Sequence, residues 1–255
     1  MKKPKASNIV LLVLFLVTVA VAIVFLLPNV RFSQDEKLDG LIREIVPRTV
    51  AGAFALGVVL SSEFRPRAKW AVRGFPQKLL WCLPCLAVAL ANFPYSALIS
   101  GEATITRPDL VWLFVLNCFA VGLVEEAVFR GLLYPVLRRR FGEGRLALPL
   151  AVALSSAVFA LMHLLNLAFG GGVGDTLLQV GYSFLIGCML AATYARTESL
   201  TICVVLHAIF DVGGGIVTEL GTGRFQDTVF WILTAVTGVL CLVHVLVFLF
   251  YRKKS

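Results

Sequence analysis

The sequence predicts an all-α, polytopic membrane protein of about eight transmembrane helices. Three observations carry that prediction. Of the 255 residues, 59% are hydrophobic and only 15% are charged, where an ordinary soluble domain carries roughly 25% charged residues. The mean hydropathy is +0.89. The apolar residues are also gathered into runs of about the 20 residues that a helix needs to cross a bilayer. No polar half remains to cover a globular surface, so lipid is the solvent for most of the chain.

Eight windows qualify in order: 8–27, 45–60, 79–100, 110–137, 146–169, 176–195, 200–220 and 228–251. The second is the shortest. The first follows a KKPK start but lacks a small-residue cleavage site and is long, so it is expected to be retained as a span. Gly/Pro-rich breaks such as RPRAKWAVRGFP and GGGVGD separate spans, and no internal repeat is evident. The chain divides into N-terminal spans and loops (1–109), a core that carries the polar motifs (110–220), and a last span with a basic tail (221–255).

The net charge of +8 does not indicate nucleic acid, because the basic residues sit in short clusters between apolar runs. With the N-terminus inside, 16 of the 23 Lys and Arg residues fall on the inner side and 6 on the outer side, Arg130 lying within a span. That bias follows the positive-inside rule and places both termini in the cytoplasm. The six cysteines all lie in apolar segments. Cys82 and Cys85 form WCLPC without a second Cys pair or a nearby His, so they read as small buried hydrophobes rather than a zinc or redox site.

Against this background some residues are out of place. A charged side chain at mid-bilayer costs on the order of 2.5–3.5 kcal/mol on insertion scales, so such residues are rare and usually functional. The fourth window carries Glu125, Glu126 and Arg130 in VEEAVFRG, the fifth His163 in FALMHLLN, and the seventh His207 and Asp211 in LHAIFD. At 1.5 Å per residue, Glu125 and His163 both lie roughly 20 Å from the inner edge, and His207 and Asp211 about 10–20 Å from it. Three helices therefore deliver acid–base groups to about one level.

Helical angles suggest roles. Glu126 and Arg130 stand at i,i+4 and can pair. Glu125 is turned about 100° from Glu126 and about 140° from Arg130, so it is left without a cation on its own helix and suits a general base. His207 and Asp211 are also i,i+4, which would let the carboxylate accept from the imidazole and fix its tautomer. Phe159, one turn before His163, is expected to pack beneath its ring. His244, in the last window, reads as a satisfied or interfacial histidine, and Gly213–Gly215 and Gly170–Gly172 as positions for close helix contacts or a turn. The basic loop 65–78 reads as a topology determinant.

In order, EExxxR (Glu125, Glu126, Arg130), FxxxH (Phe159, His163) and HxxxD (His207, Asp211) resemble the motifs of the CAAX protease and bacteriocin-processing (CPBP, or Abi) family, which includes the Ras-converting CAAX endopeptidase. They cover 123–211. The resemblance implies an eight-helix fold around a conical cavity open to the cytoplasm, and peptide hydrolysis inside the bilayer. Glu125, helped by His163, would activate a water. His207 with Asp211 would stabilise the oxyanion or position the water, and Glu126, Arg130 and Phe159 would be supports. Many relatives have Asn in the last motif position. Asp211 donates no hydrogen bond to an oxyanion unless protonated, which leaves His207 as the donor.

The implied partners are the lipid bilayer and a membrane-associated or lipid-modified protein or peptide, cut near its C-terminus. HExxH is absent, so the favoured reading uses no cofactor. Zinc on Glu125, His163 and His207 is the alternative. Two other function classes stay open at this point. One is a non-catalytic immunity or binding protein on the same scaffold, and the other a proton-coupled transporter, since Glu/His/Asp chains also relay protons.

Overall fold

The computed structural model describes residues 6–26, 30–62 and 75–250, with side chains from 15–25, 30–62 and 77–250. Its helices in chain order are α1 (Ala6–Leu26), α2 (Glu36–Ser61), α3 (Phe75–Ala91), α4 (Tyr95–Ser100), α5 (Val111–Val128), α6 (Tyr134–Phe141), α7 (Ala147–Met162), α8 (Leu165–Ala168), α9 (Val173–Thr197), α10 (Leu200–Leu220) and α11 (Thr228–Phe250). Among the described residues, seven helical stretches are long and apolar enough to cross a membrane. The chain is an all-α polytopic membrane protein. The described side chains of α1 cover only Phe15–Phe25, a shorter apolar stretch. The KKPK start, residues 65–74 of the basic loop and the basic tail lie outside the described residues.

Two strands, β1 (Ala103–Ile105) and β2 (Gly221–Gly223), pair antiparallel and tie the start of α5 to the end of α10. Hydropathy gave no hint of this short ladder. At the same end, Asp35 caps α2 by accepting from the Lys37 and Leu38 N–H groups at 3.0 Å each. Arg107 donates to Asp35, also at 3.0 Å. That bond holds the Asp35 carboxyl below the usual carboxylate range.

The sequence placed the second span at 45–60, but α2 begins at Glu36. Arg48, one of the six basic residues counted on the outer side although the 45–60 window includes it, stands about three turns into α2. Apolar content alone put the boundary too late, because the first turns of α2 carry Glu36, Lys37, Asp39, Arg43 and Glu44. These residues depress hydropathy without breaking the helix.

Lipid is as apolar as leucine, so close packing of small residues holds a membrane bundle together. The described core fits that rule: α9 contributes Leu190, Ala191 and Ala192 and α7 contributes Ala151, all completely buried. Gly213–Gly215 on α10 lie against Asn92, Phe93 and Phe114, where an added Cβ would come within 2.9 Å of some atom at each position. The expectation of close helix contacts there holds. By contrast α11 leaves Ile232, Val239 and Leu240 about 60% exposed, as a lipid-facing helix does.

Candidate active site

The fourth span contains the first departure from regular helix. α5 and α6 are joined by a π-helical turn, Phe129–Leu133, in which the Tyr134 N–H donates to the Phe129 carbonyl. Pro135, buried in the next turn, has no N–H to give the Gly131 carbonyl and crowds it, which favours a locally widened helix. Such π turns gather at functional sites. This one begins just after the EExxxR acids and contains Arg130.

Arg130 and Glu126 form the expected i,i+4 pair, Nη1 to Oε1 at 2.8 Å, with side chains 1% and 0% exposed. Arg130 Nη2 also donates to the Gly187 carbonyl of α9 at 3.1 Å, and its guanidinium lies 4.7 Å from the centre of the Phe159 ring. Gly187 makes room for this: a Cβ there would stand 3.0 Å from Ser156 and 3.2 Å from Phe159. One cation thus joins three helices, α7, α9 and the helix it sits on.

Glu126 does more than brace its own helix. Its Oε1 lies 2.7 Å from His207 Nδ1 on α10. A carboxylate already paired with arginine is an acceptor, so Nδ1 carries the proton and donates it. From the i,i+4 spacing, that holding role was expected of Asp211. The structure instead sets both Asp211 Oδ2 and Glu125 Oε2 3.5 Å from the other ring nitrogen, Nε2. The i,i+4 rule could not reveal this, because Glu126 and His207 are 81 residues apart. Gly122, one turn before Glu126, permits the approach of α10, with Val204 O only 3.2 Å from where its Cβ would be.

Glu125 points elsewhere, as its helical angle demands. Its side chain is 27% exposed and lines a cavity of about 290 Å³ with Pro47, Arg48, Ala51, Val121 and Val124. Pro47 sits inside α2. Arg48 Nη1 donates to Glu44 at 2.6 Å and to Asn117 at 2.8 Å, and Asn117 donates to Glu44 at 2.7 Å. Sequence reasoning missed Arg48, Glu44 and Asn117. The signal was present: Asn117 interrupts LFVLNCFAVG two turns before Glu125, and Glu44 and Arg48 stand at i,i+4.

His163 is at the C-terminal cap of α7, where the chain turns into α8, rather than within a helix running to 169. Phe159 meets the His163 ring at 5.4 Å and the His207 ring at 6.0 Å, edge-on in both cases. The ring beneath His163 is thus present in a T-shaped arrangement. Among the described residues the His163 side chain has no hydrogen bond or ion pair to Glu125 or His207. The structure brings Glu125, Glu126, Arg130, His207 and Asp211 into one connected cluster, with His163 joined to it through Phe159.

Among the described residues, no group of three His, Cys, Asp or Glu side chains is placed to hold a metal ion. As they stand, Glu125, His163 and His207 are not a three-ligand centre. All six cysteines are free, with Cys82 and Cys85 buried in the core.

No curated protein and no solved structure matches the chain. A family model does match, over residues 107–213, which include every residue of the cluster. That model is Rce1-like, type II CAAX prenyl endopeptidase, and the motif-bearing part of this multi-pass membrane protein is similar to it.

Proposed function

We propose that the protein is an intramembrane endopeptidase. It hydrolyses a peptide bond near the C-terminus of a membrane-associated or lipid-modified protein, with both termini of the enzyme in the cytoplasm. The observation that carries this reading is the division of labour between adjacent acids. Glu126 is buried and committed to Arg130 and His207, while Glu125 borders a cavity beside the free nitrogen of the same imidazole.

In the proposed reaction a water in that cavity gives a proton to Glu125 as it attacks the scissile carbonyl. His163 assists from the end of α7. His207, held by Glu126 through Nδ1, presents Nε2 to the developing oxyanion, and a protonated Nε2 then supplies the proton that the leaving amine needs. Glu126 stabilises the imidazolium, as a carboxylate does for a catalytic histidine in other hydrolases. While ionised, Asp211 can accept hydrogen bonds but not donate them, so its part is to orient Nε2 or the water. Water activation without metal is part of the proposal, and both nitrogens of His207 facing carboxylates support it. Activity should persist in the purified protein after exhaustive chelation.

A family of CAAX prenyl endopeptidases favours a prenylated tail as substrate. The test compares membrane proteomes of wild-type and Glu125→Gln cells for an unprocessed C-terminus. General-base loss should lower cleavage about 10²–10⁴-fold while the thermal midpoint stays unchanged. Unaltered C-termini with a retained phenotype would instead assign the protein a non-catalytic binding role, and proton flux in liposomes a transport role.

A further inference from the structure

A second cavity, of about 550 Å³, opens at the other end of the bundle, away from Glu125. Its walls include Trp81 of α3, Tyr134 and Arg138 of α6, Arg196 of α9, and His244 and Phe248 of α11. These helices all reach the cavity within about two turns of the same end, where Arg139, Arg140 and Arg145 also cluster. None of the described residues that line it is acidic. Arg138 gives one N–H to the Gly142 carbonyl, and Arg196 makes no hydrogen bond or ion pair among the described residues.

A second observation indicates a ligand. His244, expected from sequence to be satisfied or interfacial, has a buried Nε2 with no hydrogen-bond partner among the described residues. Its ring is held 4.5 Å from Trp81, which in turn lies 5.3 Å from Phe248. A buried polar nitrogen without a partner is costly, and in native proteins it usually marks an atom supplied from outside. Two guanidiniums and an imidazole can together take one anion with several acceptor oxygens, and phosphate fits that demand.

The rest of the lining says what the phosphate is attached to. Val247 borders the cavity and is 54% exposed on α11, the helix with the least buried apolar surface among the seven spans. The cavity is thus cationic toward the basic end and apolar toward lipid. Basic pockets between transmembrane helices at the cytoplasmic face recognise anionic headgroups, and tryptophan favours that interface. We infer that this cavity binds the phosphate of an anionic phospholipid, with Arg138, Arg196 and His244 on the headgroup and an acyl chain leaving along Val247. The site is independent of the peptidase reading.

The test titrates full-length protein in neutral detergent with phosphatidylglycerol, phosphatidylcholine or inorganic phosphate and reads the thermal midpoint. Phosphatidylglycerol should raise it by about 3 °C or more, and the other two should not. The doubly substituted Arg138→Gln, Arg196→Gln protein should lose the shift, while Arg145→Gln, outside the cavity, should keep it. Equal shifts from both lipids, or a shift retained in the double variant, overturn the inference. A shift from inorganic phosphate alone overturns the lipid assignment. Should the double variant fail to fold, a photoactivatable phosphatidylglycerol on the wild type decides the matter: crosslinks at α3, α9 and α11 around the cavity uphold the site, and crosslinks elsewhere sink it.

Discussion

Two glutamate–arginine pairs, Glu44–Arg48 on α2 and Glu126–Arg130 at the end of α5, have the same i,i+4 spacing and opposite surroundings. Glu126–Arg130 is 0% and 1% exposed, while Glu44–Arg48 is 46% and 39% exposed beside the Glu125 cavity. The dry pair has spent its bonding capacity on other helices: His207, the Gly187 carbonyl and the Phe159 face. The wet pair has Asn117 as its only further partner among the described residues, and Arg48 keeps Nε and Nη2 uncommitted there. Identical spacing therefore does not mean identical work. The dry pair fixes geometry, and the wet pair offers charge to whatever enters.

The largest difference should come from cutting each pair once. Removing one partner of a buried ion pair leaves an uncompensated charge and costs about 3–5 kcal/mol. Glu126 Oε2 already lacks a partner among the described residues, so only His207 would remain on that carboxylate. Arg130→Gln should lower the thermal midpoint in detergent by more than about 6 °C and abolish processing with it. A midpoint close to wild type would show that Glu126 and His207 hold each other without the arginine.

Next comes the joint that lets Arg130 reach α9. Gly187→Ala puts a methyl 3.0 Å from Ser156 and 3.2 Å from Phe159, tighter than those buried neighbours tolerate without moving. Overpacking of this kind costs about 1–3 kcal/mol. Because Phe159 also meets His163 and His207, cleavage should fall along with stability. Loss of stability with full cleavage per folded molecule would separate the packing from the site.

The wet pair should respond in the opposite sense. Arg48→Gln removes a half-exposed charge, and such pairs contribute about 0–1 kcal/mol. The midpoint should stay within that range of wild type. Processing should drop, and more substrate should restore it, because the lost group faces an entering peptide rather than the bond being broken. A drop that excess substrate leaves unchanged would move Arg48 from binding to chemistry.

What the sequence disclosed follows the same divide. Within-helix relations were legible: seven of the eight spans, the Glu126–Arg130 pair, the outward turn of Glu125 and the contact of Phe159 with His163. All depend on hydropathy or on 3.6 residues per turn. Relations between helices were not legible. Glu126 on His207, the Gly187 carbonyl on Arg130, and Asn117 on Glu44 join residues far apart in the chain, and no local period encodes them. The start of α2 was placed too late because its charged first turns look like a loop to a hydropathy window. The π turn was hidden because Pro135 marks a disturbance without saying whether the helix stops or widens.

A third pair, Arg107 with Asp35, completes the series outside the membrane. Arg107 also bonds Asp109, so the cation is shared in an accessible setting. The bond from Arg107 holds the Asp35 carboxyl below its ordinary range, and the Leu38 N–H adds to the effect. A lowered carboxylate value gives stability that is present above the unfolded value, about 3.9, and lost as pH falls through the folded one. The thermal midpoint should thus be slightly lower in Asp35→Asn than in wild type at pH 6, and the difference should shrink only as the pH is taken below the ordinary carboxylate range. Asp227, lowered by the Ser96 hydroxyl, should behave alike at its own corner. If Asp35→Asn instead produced a fall as large as Arg130→Gln, exposure would not be what separates these pairs, and the contrast between the dry and the wet pair would have to rest on the number of helices each one joins.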